Sequence, residues 1–317
     1  MVEDQYGDIF EIPVHNKNMK PTYMNKIIFG SAPIGIKKYG FQSEKNISEP
    51  NIFFQKLNDS GVLDIDTAPS YGEIENDIGR FNENHVTKFR IWTKVSGLEP
   101  GSHLNVDKII NSIKKSISKT KCNTLHCLYL HQNDTNIIED KFVQKGLKLA
   151  KDLNLTLNVG TSIYSEEELR LSLAIENLDV IQLPISAANT YLYNIAKKNN
   201  VQNKKIIGRS ILLQGTMLNI NILKKNFNFK KEILNQINLL KTISIKYDIG
   251  YLKMILAYVG SLNFLNNFIL STRNFDNFLS LLENTNHTLP KALRMEIDNI
   301  SNKNVEWSNP RNWTFYD

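Results

Sequence analysis

The sequence contains only two cysteines and no long apolar run, and these absences disfavour several classes of protein. Cys122 and Cys127 lie in one short segment that enters a buried strand, so we expect small buried thiols in a reducing compartment and no disulfide framework. The acidic N-terminus lacks the apolar core of a secretory signal, and no apolar stretch reaches membrane-spanning length. The expectation is a cytoplasmic protein without a membrane partner.

Charge of neither sign dominates a long stretch of the chain. Lysine and arginine number 38 against 32 for aspartate and glutamate, and the excess is dispersed in pairs such as Lys114-Lys115 and Lys230-Lys231. Nucleic-acid binding requires basic side chains concentrated on one surface, so no nucleic-acid partner is predicted. The histidines lack the spacing of metal ligands, and no metal site is predicted.

Glycine-rich nucleotide motifs are also missing. The stretch from Gly30 to Gly35, GSAPIG, fits neither G-x-G-x-x-G nor a P-loop, which disfavours a doubly wound dinucleotide fold. No linker rich in proline, glycine or serine divides the chain. We therefore expect residues 1–317 to form a single domain, because this length suits an α/β barrel of about 250 residues with extensions.

The sequence does contain eight short apolar segments, each followed by a polar stretch with helical periodicity. This repetition is typical of βα units and predicts an α/β protein with a (β/α)8 TIM barrel. The predicted strands cover residues 26–30, 62–66, 90–94, 124–131, 156–161, 180–183, 205–209 and 268–271. A capping box formed by Ser165 and Glu168 marks the start of the fifth helix.

Two segments lie outside the eight units. Apolar residues alternate along residues 9–14 and predict an N-terminal hairpin that could plug the bottom of the barrel. The C-terminal tail after residue 284 is irregular, yet it carries too much aromatic surface to leave in water. Its aromatic residues are Trp307, Trp313, Phe315 and Tyr316. We expect this tail to pack near the barrel mouth.

Polar side chains lie at the ends of three apolar strands, where barrel enzymes carry their catalytic groups. Asp66 ends the second strand and Tyr71 follows it, Lys94 ends the third strand, and His131 ends the fourth. A nearby ammonium would stabilise the phenolate of a tyrosine that protonates an alkoxide, since the ordinary phenol pKa is near 10. Asp66 would pair with Lys94, and His131 would hold a substrate oxygen. A purely structural Asp-Lys pair fits the composition equally well.

Along nearly its whole length the sequence resembles the aldo-keto reductase family. The most specific match is residues 66–79, DTAPSYGEIENDIG, which are similar to the family signature Asp-Thr-Ala…Tyr-Gly…Glu…Gly. Lys94 and His131 fall in the order of the family's lysine and histidine. The resemblance implies that Asp66, Tyr71, Lys94 and His131 form a catalytic tetrad, with hydride arriving from a nicotinamide.

The resemblance also implies residues that hold the nicotinamide. Ser162 resembles the serine of the family's Gly-x-Ser-Asn, although Ile163 replaces the asparagine, and Gln182 matches a glutamine that contacts the same amide. Arg209 and Ser210 resemble the loop under the nicotinamide and pyrophosphate, although the frequent stacking tyrosine is absent.

A phosphate site is implied after the eighth strand. Arg273 and Asn277 lie in a segment that resembles the family's phosphate-binding motif, where a helix N-terminus faces an anion. Arg273 would suit a 2′-phosphate, so the expected cofactor is NADPH, with NADH as the second choice.

Asp64 departs from the family, which usually has an apolar or neutral residue at this position. Residues two apart on a strand face the same side, so Asp64 is expected to join Asp66 toward the barrel interior. Either it pairs with a neighbouring barrel residue, or the predicted register is off by one.

Two functions follow from these residues. The first is NAD(P)H-dependent reduction of a small-molecule aldehyde, ketone or sugar carbonyl to an alcohol. The run of residues 209–215, RSILLQG, resembles bacterial relatives linked with sugar and surface-polysaccharide metabolism, so a sugar derivative is the preferred substrate. The alternative is a non-catalytic member of the fold that serves as a regulatory or cofactor-sensing subunit. The sequence leaves the oligomeric state open.

Overall fold

The computed structural model describes residues 2–3, 9–10, 26–37, 50–131, 134–199, 203–218 and 226–316. Eight parallel strands in these ranges close into a barrel, in which each strand pairs with the next and the last pairs with the first. In chain order, β1 to β8 are Ile27–Gly30, Asp64–Asp66, Arg90–Val95, Leu125–Leu130, Thr156–Ser162, Val180–Pro184, Lys205–Arg209 and Asn267–Leu270. The predicted barrel is confirmed.

Twelve helices lie in the described ranges. In chain order, α1 to α12 are Ala32–Gly35, Pro50–Asp59, Ile74–Asn84, Asn105–Thr120, Thr135–Ile138, Lys141–Asp152, Glu166–Ala174, Tyr191–Lys198, Lys230–Lys246, Tyr251–Gly260, Phe275–Thr285 and Lys291–Ser301. The predicted capping box begins α7: the Glu168 amide donates to Ser165 Oγ at 3.2 Å, and the Ser165 amide donates to Glu168 Oε2 at 3.0 Å. No helix among the described residues is long and apolar enough to cross a membrane.

The barrel interior is filled by side chains from alternate strand positions, as the period of two along a strand requires. Its apolar members are Ile28, Trp92, Cys127, Tyr129, Val180, Ile207 and Ile269. The rings of Trp92 and Tyr129 stack with their centroids 6.2 Å apart. The buried Cys127 and the half-buried Cys122 are both free thiols.

Asp64 lies at the N-terminal end of β2 and is buried, in the register that the sequence predicts. Its carboxylate accepts hydrogen bonds from Arg90 Nε at 2.9 Å and from Trp92 Nε1 at 2.8 Å. Of the two alternatives for this residue, pairing with neighbouring barrel residues is therefore correct. The bonds satisfy a buried charge that would otherwise be costly.

The two segments outside the barrel are also present. Val2–Glu3 pairs antiparallel with Ile9–Phe10, a pairing that the sequence did not indicate, and residues 11–14 of the predicted hairpin lie outside the described residues. In the tail, Phe315–Tyr316 pairs with Asn226–Phe227, which follows β7. The Asn189 side chain, in the loop after β6, donates to the Lys303 carbonyl at 2.9 Å. The tail therefore returns to the mouth of the barrel, as predicted.

Gly79 allows α3 to pack closely against α4. A Cβ added at this position would lie only 1.9 Å from the Lys119 carbonyl oxygen. We expect Gly79→Ala to lower the free energy of unfolding by about 1–3 kcal/mol, because backbone must move to admit the methyl group. Gly250→Ala is the matched control, since no atom lies within 4 Å of its added Cβ, and it should be near neutral. Urea unfolding of the two variants tests this, and equal midpoints would contradict it.

Candidate active site

The C-terminal ends of β2, β3 and β4 bring the four predicted catalytic side chains together. The buried Lys94 Nζ donates to Asp66 Oδ1 at 2.6 Å and to the Thr67 carbonyl at 2.8 Å. It also lies 5.1 Å from the centroid of the Tyr71 ring. The His131 ring is edge-on to Tyr71, with the two centroids 6.3 Å apart. The four residues form one cluster at the barrel mouth.

Two glycines position the Tyr71 backbone. A Cβ added to Gly35 would lie 2.0 Å from the Tyr71 carbonyl oxygen, so α1 can approach this loop only because residue 35 has no side chain. Gly72 adopts a φ of +67°, a conformation that is strained for other residues. The sequence did not indicate this contact of Gly35, because Tyr71 lies far along the chain.

The ion pair keeps Lys94 charged. Burial opposes the charged form of this lysine, but the Asp66 carboxylate, followed by Tyr71, outweighs burial and raises the lysine pKa. Burial also raises the pKa of Tyr71, and the positive charge of Lys94 limits that rise. The phenol therefore retains its proton at neutral pH. The sequence indicated the effect of the lysine on this phenol but not the larger effect of burial.

His131 is uncharged in this environment. Burial, and then the positive charge of Lys94, lower its pKa to about 4. A neutral imidazole can hydrogen bond to a carbonyl oxygen, and near neutral pH it has little tendency to take up a proton.

Two predicted cofactor residues connect directly to this cluster. Gln182 Nε2 donates to Asp66 Oδ2 at 2.9 Å, and Ser162 Oγ donates to Gln182 Oε1 at 2.9 Å. All three side chains are buried, Asp66 and Ser162 at the C-terminal ends of their strands and Gln182 in the middle of β6. The resulting chain of hydrogen bonds crosses the barrel from β2 to β6 and β5.

Arg209, at the end of β7, is only 9% exposed. Its Nη2 donates to the Ile163 carbonyl at 2.7 Å, and its guanidinium carbon lies 3.7 Å from the centroid of the Tyr164 ring. Its Nε is buried without a hydrogen-bond partner among the residues that the structure describes. Ser210, which follows it, has a φ of +59°, an unusual value for a residue other than glycine.

Arg273 and Asn277 lie at the start of α11. Arg273 donates to three carbonyls around α1: those of Pro33 at 2.7 Å, Ile36 at 2.9 Å and Lys37 at 3.1 Å. The arginine thus ties the segment after β1 to the segment after β8, a role that the sequence did not indicate. Asn277 is exposed, and its amide donates to the helix-capping side chain of Asn274 at 3.0 Å.

Two residues at the barrel mouth could not be identified from the sequence. Tyr164 follows β5, and the guanidinium carbon of Arg311, from the tail, lies 4.0 Å from the centroid of its ring. Neither residue belongs to a motif, and their contact joins distant parts of the chain. No signal in the sequence indicated it.

A closed parallel barrel with this polar cluster at the C-terminal ends of its strands has the architecture of a TIM-barrel enzyme. The model of the aldo/keto reductase family matches residues 26–302, a range that includes β1 through α12. The chain belongs to the aldo/keto reductase family. This membership implies an oxidoreductase that acts on a small-molecule carbonyl compound.

The fold is similar to that of two solved structures from Pseudomonas aeruginosa that are assigned to the aldo-keto reductases. The first is 16% identical, with a TM-score of 0.56, and the match covers 86% of this chain and 90% of that one. The second is 15% identical, with a TM-score of 0.57, and the match covers 82% and 88% of the two chains. At these identities the likeness shows the fold alone. No curated protein matches this chain.

Proposed function

We propose that this protein is an NAD(P)H-dependent reductase that converts an aldehyde, ketone or sugar carbonyl to an alcohol. The observation that carries the proposal is the buried Lys94–Asp66 ion pair beside Tyr71. A buried ion pair is weak evidence for stability alone, because desolvation offsets much of its attraction. Here it lies next to the partly buried phenol of Tyr71 at the barrel mouth, where a positive charge can stabilise a phenolate.

The proposed roles follow from the protonation states. When bound, a reduced nicotinamide supplies a hydride to the carbonyl carbon. Neutral His131 donates a hydrogen bond to the carbonyl oxygen and orients it. Tyr71 gives its phenolic proton to that oxygen as negative charge develops there. Lys94 stabilises the resulting phenolate, and Asp66 keeps the lysine charged and in position.

The residues of the site fit a nicotinamide nucleotide. Ser162 and Gln182 offer buried donors and acceptors that are complementary to a carboxamide. The Nε of Arg209, which has no hydrogen-bond partner among the described residues, is a donor suited to a phosphate oxygen, and Ser210 continues the same loop. Asn277 lies in the first turn of α11, whose N-terminal amides favour an anion.

The test is oxidation of NADPH and NADH, followed at 340 nm, with a panel of aldehydes, ketones and nucleotide-linked sugars. The proposal expects turnover of at least one compound. A sugar derivative is the preferred substrate because of the resemblance of residues 209–215 to sugar-linked relatives. Cofactor binding without turnover of any compound would instead favour the non-catalytic regulatory alternative.

NADPH should bind more tightly than NADH if Arg273 contacts the 2′-phosphate. Arg273→Ala should then narrow the difference in binding free energy by about 1.5–3 kcal/mol, the scale of a hydrogen bond to a charged group. Titration of protein fluorescence with both cofactors measures this difference.

The NADH titration is also the control for the second role of Arg273. Because this arginine holds carbonyls around α1, its removal could weaken both cofactors through the loop alone. If Arg273→Ala loses equal affinity for NADH and NADPH, the contact with the 2′-phosphate is contradicted. Equal affinities of the parent protein for the two cofactors would also contradict it.

A further inference from the structure

The interior of the barrel holds a tyrosine whose hydroxyl makes no hydrogen bond. Tyr129, on β4, is fully buried, and its Oη has no hydrogen-bond partner among the residues that the structure describes. Burial raises the pKa of this phenol well above its ordinary value, so the hydroxyl keeps its proton and can donate it to a hydrogen bond. A phenylalanine would fill nearly the same space without burying a polar group, so the hydroxyl lowers the stability of this state.

Tyr129 lies in the layer of the barrel below the catalytic candidates. It precedes His131 by two residues, so both side chains face the interior, and it pairs in register with Lys94 of β3. Its ring stacks on Trp92, whose indole is fixed by a hydrogen bond to Asp64. A ring packed in this way shifts little in a dense interior, so the hydroxyl can only rotate about its C–O bond. Any hydrogen-bond partner must move to it.

The polar groups around this hydroxyl include residues of the proposed site. After burial, Cys127 and Asp66 raise the phenol pKa further, whereas the Gln182 amide lowers it. Cys127 and Gln182 thus lie close to the hydroxyl, although neither is in hydrogen-bonding geometry with it. A thiol is only a weak acceptor, so the strong acceptors in this environment are the side-chain oxygens of Asp66 and Gln182.

Asp66 and Gln182 are already hydrogen bonded to one another and to Ser162. Gln182 Nε2 donates to Asp66 Oδ2 at 2.9 Å, and Gln182 Oε1 accepts from Ser162 Oγ at 2.9 Å. The two groups proposed to hold a nicotinamide carboxamide are therefore engaged in the free protein. If the Gln182 amide turns toward a carboxamide, Asp66 Oδ2 loses a donor, and a buried carboxylate requires a replacement.

We propose that Tyr129 is a positioning residue for the cofactor, whose hydroxyl takes up a hydrogen bond with the Asp66–Gln182 pair when the nicotinamide carboxamide engages Gln182. The hydrogen bond that is missing from the free protein is then made only in the complex, so its free energy favours binding. This inference rests on the proposed function, because it concerns the same cofactor site.

The test compares the stability of the free protein with its affinity for the cofactor in Tyr129→Phe. Without cofactor the variant removes only an unsatisfied hydroxyl, so its urea midpoint should equal or exceed that of the parent. NADPH, measured by isothermal titration, should bind about five- to tenfold more weakly because one hydrogen bond of the complex is lost. The matched ligand 2′-phospho-ADP-ribose, which lacks the nicotinamide, should bind parent and variant equally.

Two further variants sharpen the comparison. Tyr251→Phe is the matched control, because Tyr251, at the start of α10, also has a buried hydroxyl without a partner in the described part of the chain. It should bind NADPH as the parent does. Gln182→Leu should weaken NADPH binding, and adding Tyr129→Phe to it should have little further effect, since the two side chains act through one network.

The outcomes separate this inference from the proposed function. Weaker NADPH binding in Tyr129→Phe, with the ligand that lacks nicotinamide unaffected, supports the inference even in a protein that reduces no carbonyl. Equal NADPH affinity in parent and variant overturns it and leaves a turning-over reductase intact. Equal losses for both ligands also overturn it, as does a lower urea midpoint with unchanged affinity, which would mean that a buried water already satisfies the hydroxyl. A parent that binds neither NADPH nor NADH overturns both.

Discussion

Tyr71→Phe is expected to lower kcat by roughly 10²–10⁴-fold, the contribution of a positioned general acid, while cofactor affinity stays near that of the parent. The substitution removes the hydroxyl proton and keeps the ring that packs edge-on to His131. Burial keeps the Tyr71 pKa above its ordinary value, so in the parent the phenol is protonated over the neutral range. Steady-state rates with NADPH, together with fluorescence titration of the cofactor, separate catalysis from binding.

Tyr191→Phe is the matched control for this substitution. Tyr191 begins α8, and its hydroxyl contacts the carboxylate of Glu166 at the start of α7, in a pair that has no part in the proposed chemistry. This variant should retain the parent kcat within about twofold. An active Tyr71→Phe enzyme would show that the proton comes from another group, and the assignment of the tetrad would fail.

Lys94→Met is expected to abolish most turnover for a different reason. Without the ammonium, the phenolate formed on proton transfer loses the charge that stabilises it, so Tyr71 becomes a much weaker acid. The substitution also leaves the buried Asp66 carboxylate without its cation, and breaking such a pair costs about 3–5 kcal/mol of stability. Both kcat and the free energy of unfolding should therefore fall.

A second variant distinguishes catalysis from folding. In Lys94→Met combined with Asp66→Asn no charge is left unpaired, so stability should largely return while activity stays low. Lys108→Met, which removes a lysine paired with the exposed Glu99, is the control. It should change neither kcat nor the free energy of unfolding by much. If the double variant recovered parental kcat, the lysine would be structural and the non-catalytic alternative would gain support.

The sequence alone could predict where the barrel strands end to within one residue, because that information is local. Successive side chains of a strand point to opposite faces, so the sequence alone places Asp64 and Asp66 on one face without knowledge of their partners. The capping box of Ser165 and Glu168 is equally local, since both hydrogen bonds lie within one helical turn.

Other contacts could not be predicted because they join residues far apart in the chain. Gln182 and Asp66 are separated by 116 positions, and their hydrogen bond exists because the barrel closes. Arg273 was assigned to a phosphate from its place at a helix start, whereas the fold also gives it carbonyls more than 230 positions away. The motif that predicts a residue's position does not specify all of its partners.

The sequence by itself therefore determined the eight-stranded barrel and the candidate catalytic residues, since periodicity and strand ends depend on neighbours a few positions apart. Tertiary structure decided the protonation states of Tyr71 and His131, because burial has the largest effect on both pKa values. It also decided the contact of Arg311 with Tyr164, which forms only when the tail returns to the barrel mouth. Desolvation and long-range packing are properties of the closed fold, and no local pattern encodes them.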